Sequence, residues 1–209
     1  MPVADVLIGV LALQGDVREH MAAVAMAGGR AITVRTRDEL MQVDALIIPG
    51  GESTTVGKLL DRFDLMEPVR AFAAHGKPIF GTCTGMILLA KTIEDSAQPR
   101  LGLMDITVRR NAFGRQIDSF EEDLVVSGIP GAPVRAVFIR APYVTEVAPD
   151  VAVLAAINGH PVLVQQGGLL AAAFHPELTA DSRVHGYFLT LVTAAKEAHQ
   201  LCAMSGSPA

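Results

Sequence analysis

Two short stretches of the 209-residue chain carry residue types that can do covalent chemistry together. The first is Gly81-Thr82-Cys83-Thr84-Gly85, entered from the apolar Ile79-Phe80 and left through Met86-Ile87-Leu88-Leu89-Ala90. It reads as a buried strand, a sharp turn bearing a cysteine, and an apolar helix. A nucleophile on a tight strand-to-helix turn sits in strained backbone, and small neighbours let the chain bend there. The helix N-terminus behind it presents unpaired N–H groups that favour the anionic form of a nucleophile. The alternative for Cys83 is a buried structural thiol. The second stretch is Phe174-His175-Pro176-Glu177. A residue before proline is pushed to extended geometry, and in an extended segment positions two apart share a side, so His175 and Glu177 are expected to meet. A carboxylate beside an imidazole fixes its tautomer and stabilises the imidazolium. His20, His75, His160, His185 and His199 have no carboxylate in that arrangement. A third stretch, Pro49-Gly50-Gly51-Glu52-Ser53-Thr54-Thr55, has two adjacent glycines that can turn successive N–H groups toward an anion. On its own it also reads as an ordinary turn with Ser53 capping a helix. Nucleophile Cys83, base His175, orienter Glu177 and N–H donors of Gly51 and Thr84 for an oxyanion make up covalent acyl transfer. No His/Cys/Asp/Glu cluster has the spacing of a metal site, and no cofactor is expected.

These groups need a scaffold that brings strand ends together. Val6 to Leu13 is a continuous apolar run, as in a parallel strand buried on both faces. Asp16, with Glu19 three residues on, is expected to form a capping box for a helix through Val17, Met21, Val24 and Ala25 that Gly28-Gly29 stops. Ala31 to Val34 and Ala45 to Ile48 are further strands, and Val56 to Phe63 and Glu67 to His75 further helices. The alternation predicts a three-layer, doubly wound, mostly parallel α/β sheet with flanking helices, flavodoxin-like, with ligands at the carboxyl ends of the strands. After Lys91 short strands dominate: Leu101 to Arg109, Val134 to Ile139, Val151 to Ile157, Pro161 to Gln166 and Leu169 to Phe174. They extend the sheet or add a small antiparallel layer. Val184 to His199 is a final amphipathic helix. Residues 1–209 read as one domain, with about 196–209 a mobile tail and 206–209 disordered.

Half the residues are hydrophobic, enough for a substantial core, and the net charge of −5 argues against a nucleic-acid partner. No apolar run has the length of a membrane span, and no signal-peptide pattern opens the chain. Cys83 and Cys202 do not make a disulfide framework, so a cytoplasmic setting is expected.

The motifs at 81–86 and 175–177 resemble the triad motifs of class I glutamine amidotransferases. Leu13-Gln14-Gly15-Asp16-Val17-Arg18-Glu19-His20, the loop at 49–55, Arg110 to Gln116, Asp118-Ser119-Phe120, Phe138-Ile139-Arg140-Ala141-Pro142 and His175 to Thr179 narrow the match. Together they are similar to the glutaminase subunits of deoxyxylulose-independent pyridoxal 5′-phosphate synthase, from about Val6 to Ala195. The resemblance implies hydrolysis of L-glutamine to glutamate and ammonia, and delivery of the ammonia through a protected channel to a synthase partner that makes the vitamin B6 coenzyme. It implies glutamine binding by Gly51, Glu52, Ser53, Arg110, Ile139 and Arg140, and activation on docking with the synthase. Arginines suit a carboxylate, though on spacing alone they read equally as surface residues. Position 84 commonly holds alanine in the family and is Thr84 here, which keeps the backbone N–H but adds a β-branched side chain. Two other readings stay open: a free-standing cysteine amidase or γ-glutamyl hydrolase, and a non-catalytic binding module, which the intact Cys83, His175 and Glu177 argue against.

Overall fold

A computed structural model of the protein describes residues 6–110 and 119–205. Residues 111–116 and 118 of the motifs above, and the tail at 206–209, lie outside the described residues. The first half alternates: β1 (Leu7–Leu11), α1 (Val17–Met26), β2 (Arg30–Val34), α2 (Arg37–Met41), β3 (Ala45–Ile48), α3 (Ser53–Arg62), α4 (Met66–Ala74), β4 (Ile79–Thr82) and α5 (Thr84–Leu89). Then follow β5 (Ala90–Ile93), β6 (Met104–Arg109), β7 (Ser119–Leu124), β8 (Val134–Ile139), β9 (Tyr143–Val147), β10 (Ala152–Ile157), β11 (His160–Gln166) and β12 (Leu169–Ala172). A 3₁₀ turn over Pro176–Leu178 leads to α6 (Arg183–Ser205).

The main sheet has seven strands in the order β10-β11-β12-β4-β3-β1-β2. Pairings from β12 through β4, β3 and β1 to β2 are parallel, and the β10-β11 and β11-β12 pairings are antiparallel. The second half therefore does both things expected of it. It extends the sheet, and it adds the antiparallel β7-β8 pair and a three-stranded β5-β6-β9 sheet, which is mixed rather than antiparallel because β5 and β6 pair parallel. β3 and the four residues of β4 are buried throughout, which is why they read as unbroken apolar runs.

Strand alternation at β4 shows helices on both faces. Phe80 points to one side, where its ring meets His20 of α1 and His185 and Phe188 of α6. Gly81 points to the other, where a Cβ would fall 2.5 Å from Gly85 and 2.9 Å from Leu89 of α5. β4 and β3 end side by side at their carboxyl edge, Ile48 in register with Gly81. This brings the 49–55 loop next to the Cys83 turn. β12, on the other flank of β4, delivers His175 to the same edge, with the His175 N–H held by the Val137 carbonyl at 2.8 Å.

Several local expectations change. Asp16 precedes α1 but makes no side-chain cap. The capping box lies instead at Thr36 and Glu39, which start α2, a helix not anticipated from its five residues. Glu52, not Ser53, caps α3, its carboxylate accepting from the N–H groups of Thr54 (3.0 Å) and Thr55 (2.7 Å). α6 continues past His199 to Ser205 and carries Cys202, so that stretch of the expected tail is helical. No described helix is long and apolar enough to cross a membrane.

Candidate active site

Cys83 has φ +47° and ψ −97°, outside the regions open to an ordinary residue, between the end of β4 and the start of α5. Its N–H is held by the Ala172 carbonyl of β12 at 2.7 Å, which anchors the turn. The flanking glycines are needed for close approach rather than for unusual angles. A Cβ on Gly85 would lie 2.3 Å from the Ile48 carbonyl, and one on Gly81 would press into Gly85. The thiol is 7% exposed, with its Sγ 3.9 Å from the Ile139 carbonyl.

His175 and Glu177 meet as expected, but by another route. Pro176 starts a 3₁₀ turn instead of a strand, and the turn folds the Glu177 carboxylate back so that Oε1 lies 2.8 Å from His175 Nδ1. Nδ1 is thereby engaged, leaving the other ring nitrogen for the sulfur. Burial alone would push the His175 imidazole down. Hydrogen bonding to Cys83 and Glu177, with their charges, outweighs it and holds the ring up at about 10. Burial would likewise raise Glu177. The imidazoles of His20 and His175 outweigh that and hold it down at about 2.

A second carboxylate joins this pair. Asp16 Oδ2 lies 3.4 Å from His175 Nδ1, and its pKa is raised, first by burial and then by the charge of Glu177. Spacing had concealed this grouping, since Asp16 is remote in sequence from His175 and Glu177. Their donor atoms lie within 4.8 Å of one another. The 2.8 Å Nδ1–Oε1 contact has the length of an N–H···O hydrogen bond.

Cys83 and His175 open into a cavity of about 380 Å³, within the range of small-molecule sites. Gly51, Glu52, Ser53, Thr84, Arg110, Ile139 and Arg140 line it, so every site residue expected from the sequence is there except Glu177, which sits behind His175. Gln14, Asp16 and Ile87 also line it and were not anticipated. Gln14 Oε1 accepts from the Glu52 N–H at 2.9 Å, and a Cβ on Gly51 would fall 2.6 Å from that oxygen. Gln98 is a second unanticipated residue. Its Oε1 accepts from Ser53 Oγ (3.3 Å), Thr54 Oγ1 (3.2 Å) and an Arg110 guanidinium N–H, so it ties the arginine to the loop. Thr84, the residue that departs from the resemblance, uses its extra hydroxyl: Oγ1 donates to the Gly51 carbonyl at 2.6 Å.

A buried thiol, an imidazole fixed by a carboxylate, and an arginine-bearing pocket are together the chemical parts that acyl transfer from a small polar amide requires. The comparisons with known proteins agree. A protein of Acidothermus cellulolyticus named pyridoxal 5′-phosphate synthase subunit PdxT is 59% identical over 194 residues, covering 90% of this chain and 94% of its own length. A protein of the same name from Desulforudis audaxviator is 60% identical, covering 88% of this chain and 98% of its own. A crystal structure titled as a glutamine amidotransferase superposes with a TM-score of 0.85 at 51% identity, covering 88% of this chain and 98% of that one. The model of the SNO glutamine amidotransferase family matches residues 10–194, and the chain belongs to that family.

Proposed function

We propose that this chain is a single-domain glutaminase that splits L-glutamine into glutamate and ammonia, with Cys83 as nucleophile, His175 as acid and base, and Glu177 as orienter. The Cys83 sulfur adds to the side-chain carbonyl carbon of glutamine, and the N–H groups of Gly51 and Thr84 stabilise the negative oxygen. His175 passes its proton to the nitrogen as the C–N bond breaks, so ammonia leaves and a thioester remains. The neutral imidazole then takes a proton from water, which cleaves the thioester and releases glutamate and the free thiol. Arg110 and Arg140 offer positive charge for the substrate's α-carboxylate, and Glu52 a counter-charge for its α-ammonium. The observation that carries the reading is the 2.8 Å Nδ1–Oε1 bond behind a ring that shares one cavity with Cys83.

The relatives are named as subunits of pyridoxal 5′-phosphate synthase, which supports a synthase partner that consumes the ammonia for vitamin B6 synthesis. We assign the chain to the cytoplasm, where a catalytic thiol is kept reduced. The test is steady-state glutamate release with and without the synthase subunit, on the native chain and on Cys83→Ala. Glutamate release that vanishes in Cys83→Ala is expected. Glutamine-dependent coenzyme synthesis by Cys83→Ala would overturn the reading.

A further inference from the structure

Two histidines outside the proposed triad are fully buried behind it. His20, on α1, and His185, on α6, are each 0% exposed. Nδ1 of His20 lies 3.0 Å from Nε2 of His185. Nε2 of His20 lies 3.0 Å from Thr82 Oγ1 and 3.4 Å from Glu177 Oε1. That oxygen is the one bonded to His175. The other carboxylate oxygen, Oε2, is buried with no hydrogen-bond partner among the described residues. Among the described residues, His175 and His20 are therefore the two groups that hold this carboxylate. Without His20 it would hang on His175 alone, the group it has to orient.

The protons can be placed from the geometry. His185 Nδ1 is buried with no partner among the described residues. A neutral His185 carrying its proton there would strand a buried N–H, which proteins rarely tolerate. With the proton on Nε2, His185 donates to His20 Nδ1. His20 then carries its own proton on Nε2 and donates it toward Glu177 Oε1 and Thr82 Oγ1. Both N–H groups then meet acceptors, and a single lone pair is left bare. Burial holds the His185 imidazole low, at about 3, consistent with a neutral ring.

We propose that His20, oriented by His185, is a positioning residue that fixes the Glu177 carboxylate so that it can hold the His175 ring toward Cys83. This rests on the glutaminase reading above. The groups facing Glu177 are His175 on its own segment, His20 and Asp16 on and before α1, and His185 on α6, while Cys83 at the β4–α5 turn faces His175. Against that set, loss of the His20 donor leaves the carboxylate free to rotate and lets the His175 imidazolium lose its proton at lower pH.

The experiment compares the full-length native chain with His20→Leu and His20→Gln, each with its synthase partner, by glutamate release across pH. Gln keeps an N–H donor at nearly the reach of Nε2, and Leu keeps only bulk. Losing a hydrogen bond to a charged group predicts a kcat lower by roughly ten- to hundredfold in His20→Leu, with KM little changed. The alkaline limb of its pH profile should move to lower pH, and His20→Gln should recover most of the loss. A folded His20→Leu with native kcat and pH profile, or a His20→Gln as impaired as His20→Leu, overturns the proposal. An inactive native chain would instead overturn the glutaminase reading, so the two failures are separable. A measurement that needs no variant is the ring ¹⁵N spectrum of the native protein. It should show Nε2–H tautomers at both His20 and His185, and an Nδ1–H tautomer at His20 would overturn the proposal.

Discussion

Gly50→Ala is a one-methyl perturbation aimed at the His175 imidazole, the proposed acid and base. A Cβ built on Gly50 falls 2.3 Å from His175 Cε1, 2.9 Å from Nδ1 and 3.3 Å from Asp16 Oδ2. An ordinary contact begins near 3.4 Å, so ring and loop have to separate by about 1.1 Å. Neither can give easily. The ring is tied to Glu177 at 2.8 Å, and the loop to Gln14 through the Glu52 N–H at 2.9 Å. Gly50 is not among the glycines with positive φ, so alanine there adds no backbone strain to confuse the result. A misplacement of about 1 Å costs roughly a hundredfold in rate. Gly50→Ala is therefore expected to lower kcat/KM for glutamine hydrolysis about a hundredfold, while overpacking worth roughly 1–3 kcal/mol lowers the thermal midpoint by several degrees and leaves the chain folded. Glutamate release in the presence of the synthase subunit measures the first, and a melting curve the second. Gly186→Ala is the matched control. Its Cβ meets nothing within 4 Å and replaces a glycine inside α6, so it should gain roughly 0.5–1 kcal/mol of stability at unchanged activity. A Gly50→Ala chain that turns over at the native rate would refute the packing of loop against imidazole.

Two further outcomes follow from the same geometry. The Thr84 hydroxyl donates to the Gly51 carbonyl while the Glu52 N–H donates to Gln14 Oε1, so the peptide between Gly51 and Glu52 is held at both ends and the loop that carries the Gly51 N–H cannot readjust freely around a developing oxyanion. Thr84→Ala removes a bond worth roughly 1 kcal/mol and should raise glutamate release by the isolated chain about fivefold; an unchanged or lower rate would contradict this. The His175–Glu177 pair also makes stability depend on pH. His175 is raised from 6.5 to about 10, so its contribution is complete below 6.5 and is lost as pH rises through 10. Glu177 is lowered from 4.5 to about 2, so its contribution is complete above 4.5 and is lost as pH falls toward 2. The denaturation midpoint of the native chain relative to Glu177→Gln should exceed it most between pH 4.5 and 6.5 and shrink toward pH 10. A difference constant across that range would refute the pairing.

Much of the site can be read from the chain because strand ends announce themselves. Cys83 stands between glycines after an apolar run, and His175 precedes Pro-Glu after another. What stayed hidden depends on which side chains a parallel sheet brings to one edge. Asp16 reads locally as a helix cap, and only the meeting of β1, β3 and β12 ends turns it toward His175. Gln14 and Gln98 have no local signature because their partners lie across loops. His20 did leave a trace. It occupies the buried stripe of α1 with Ala23 and Val24, where a polar residue needs a partner. β5 and β9 escaped notice because strands of the small second sheet are short and only partly covered. Thr84 was visible as a departure, but its bond to Gly51 belongs to the folded loop.

The central claim is that the Cys83 sulfur is acylated by the side chain of glutamine. Intact-mass and peptide analysis after incubation with a diazo-ketone analogue of glutamine tests it most directly. One adduct per chain, located on Cys83, blocked by excess glutamine and absent from Cys83→Ala, is the predicted result. An adduct on Cys202 alone, or full glutamine turnover after Cys83 has been replaced, would contradict the account.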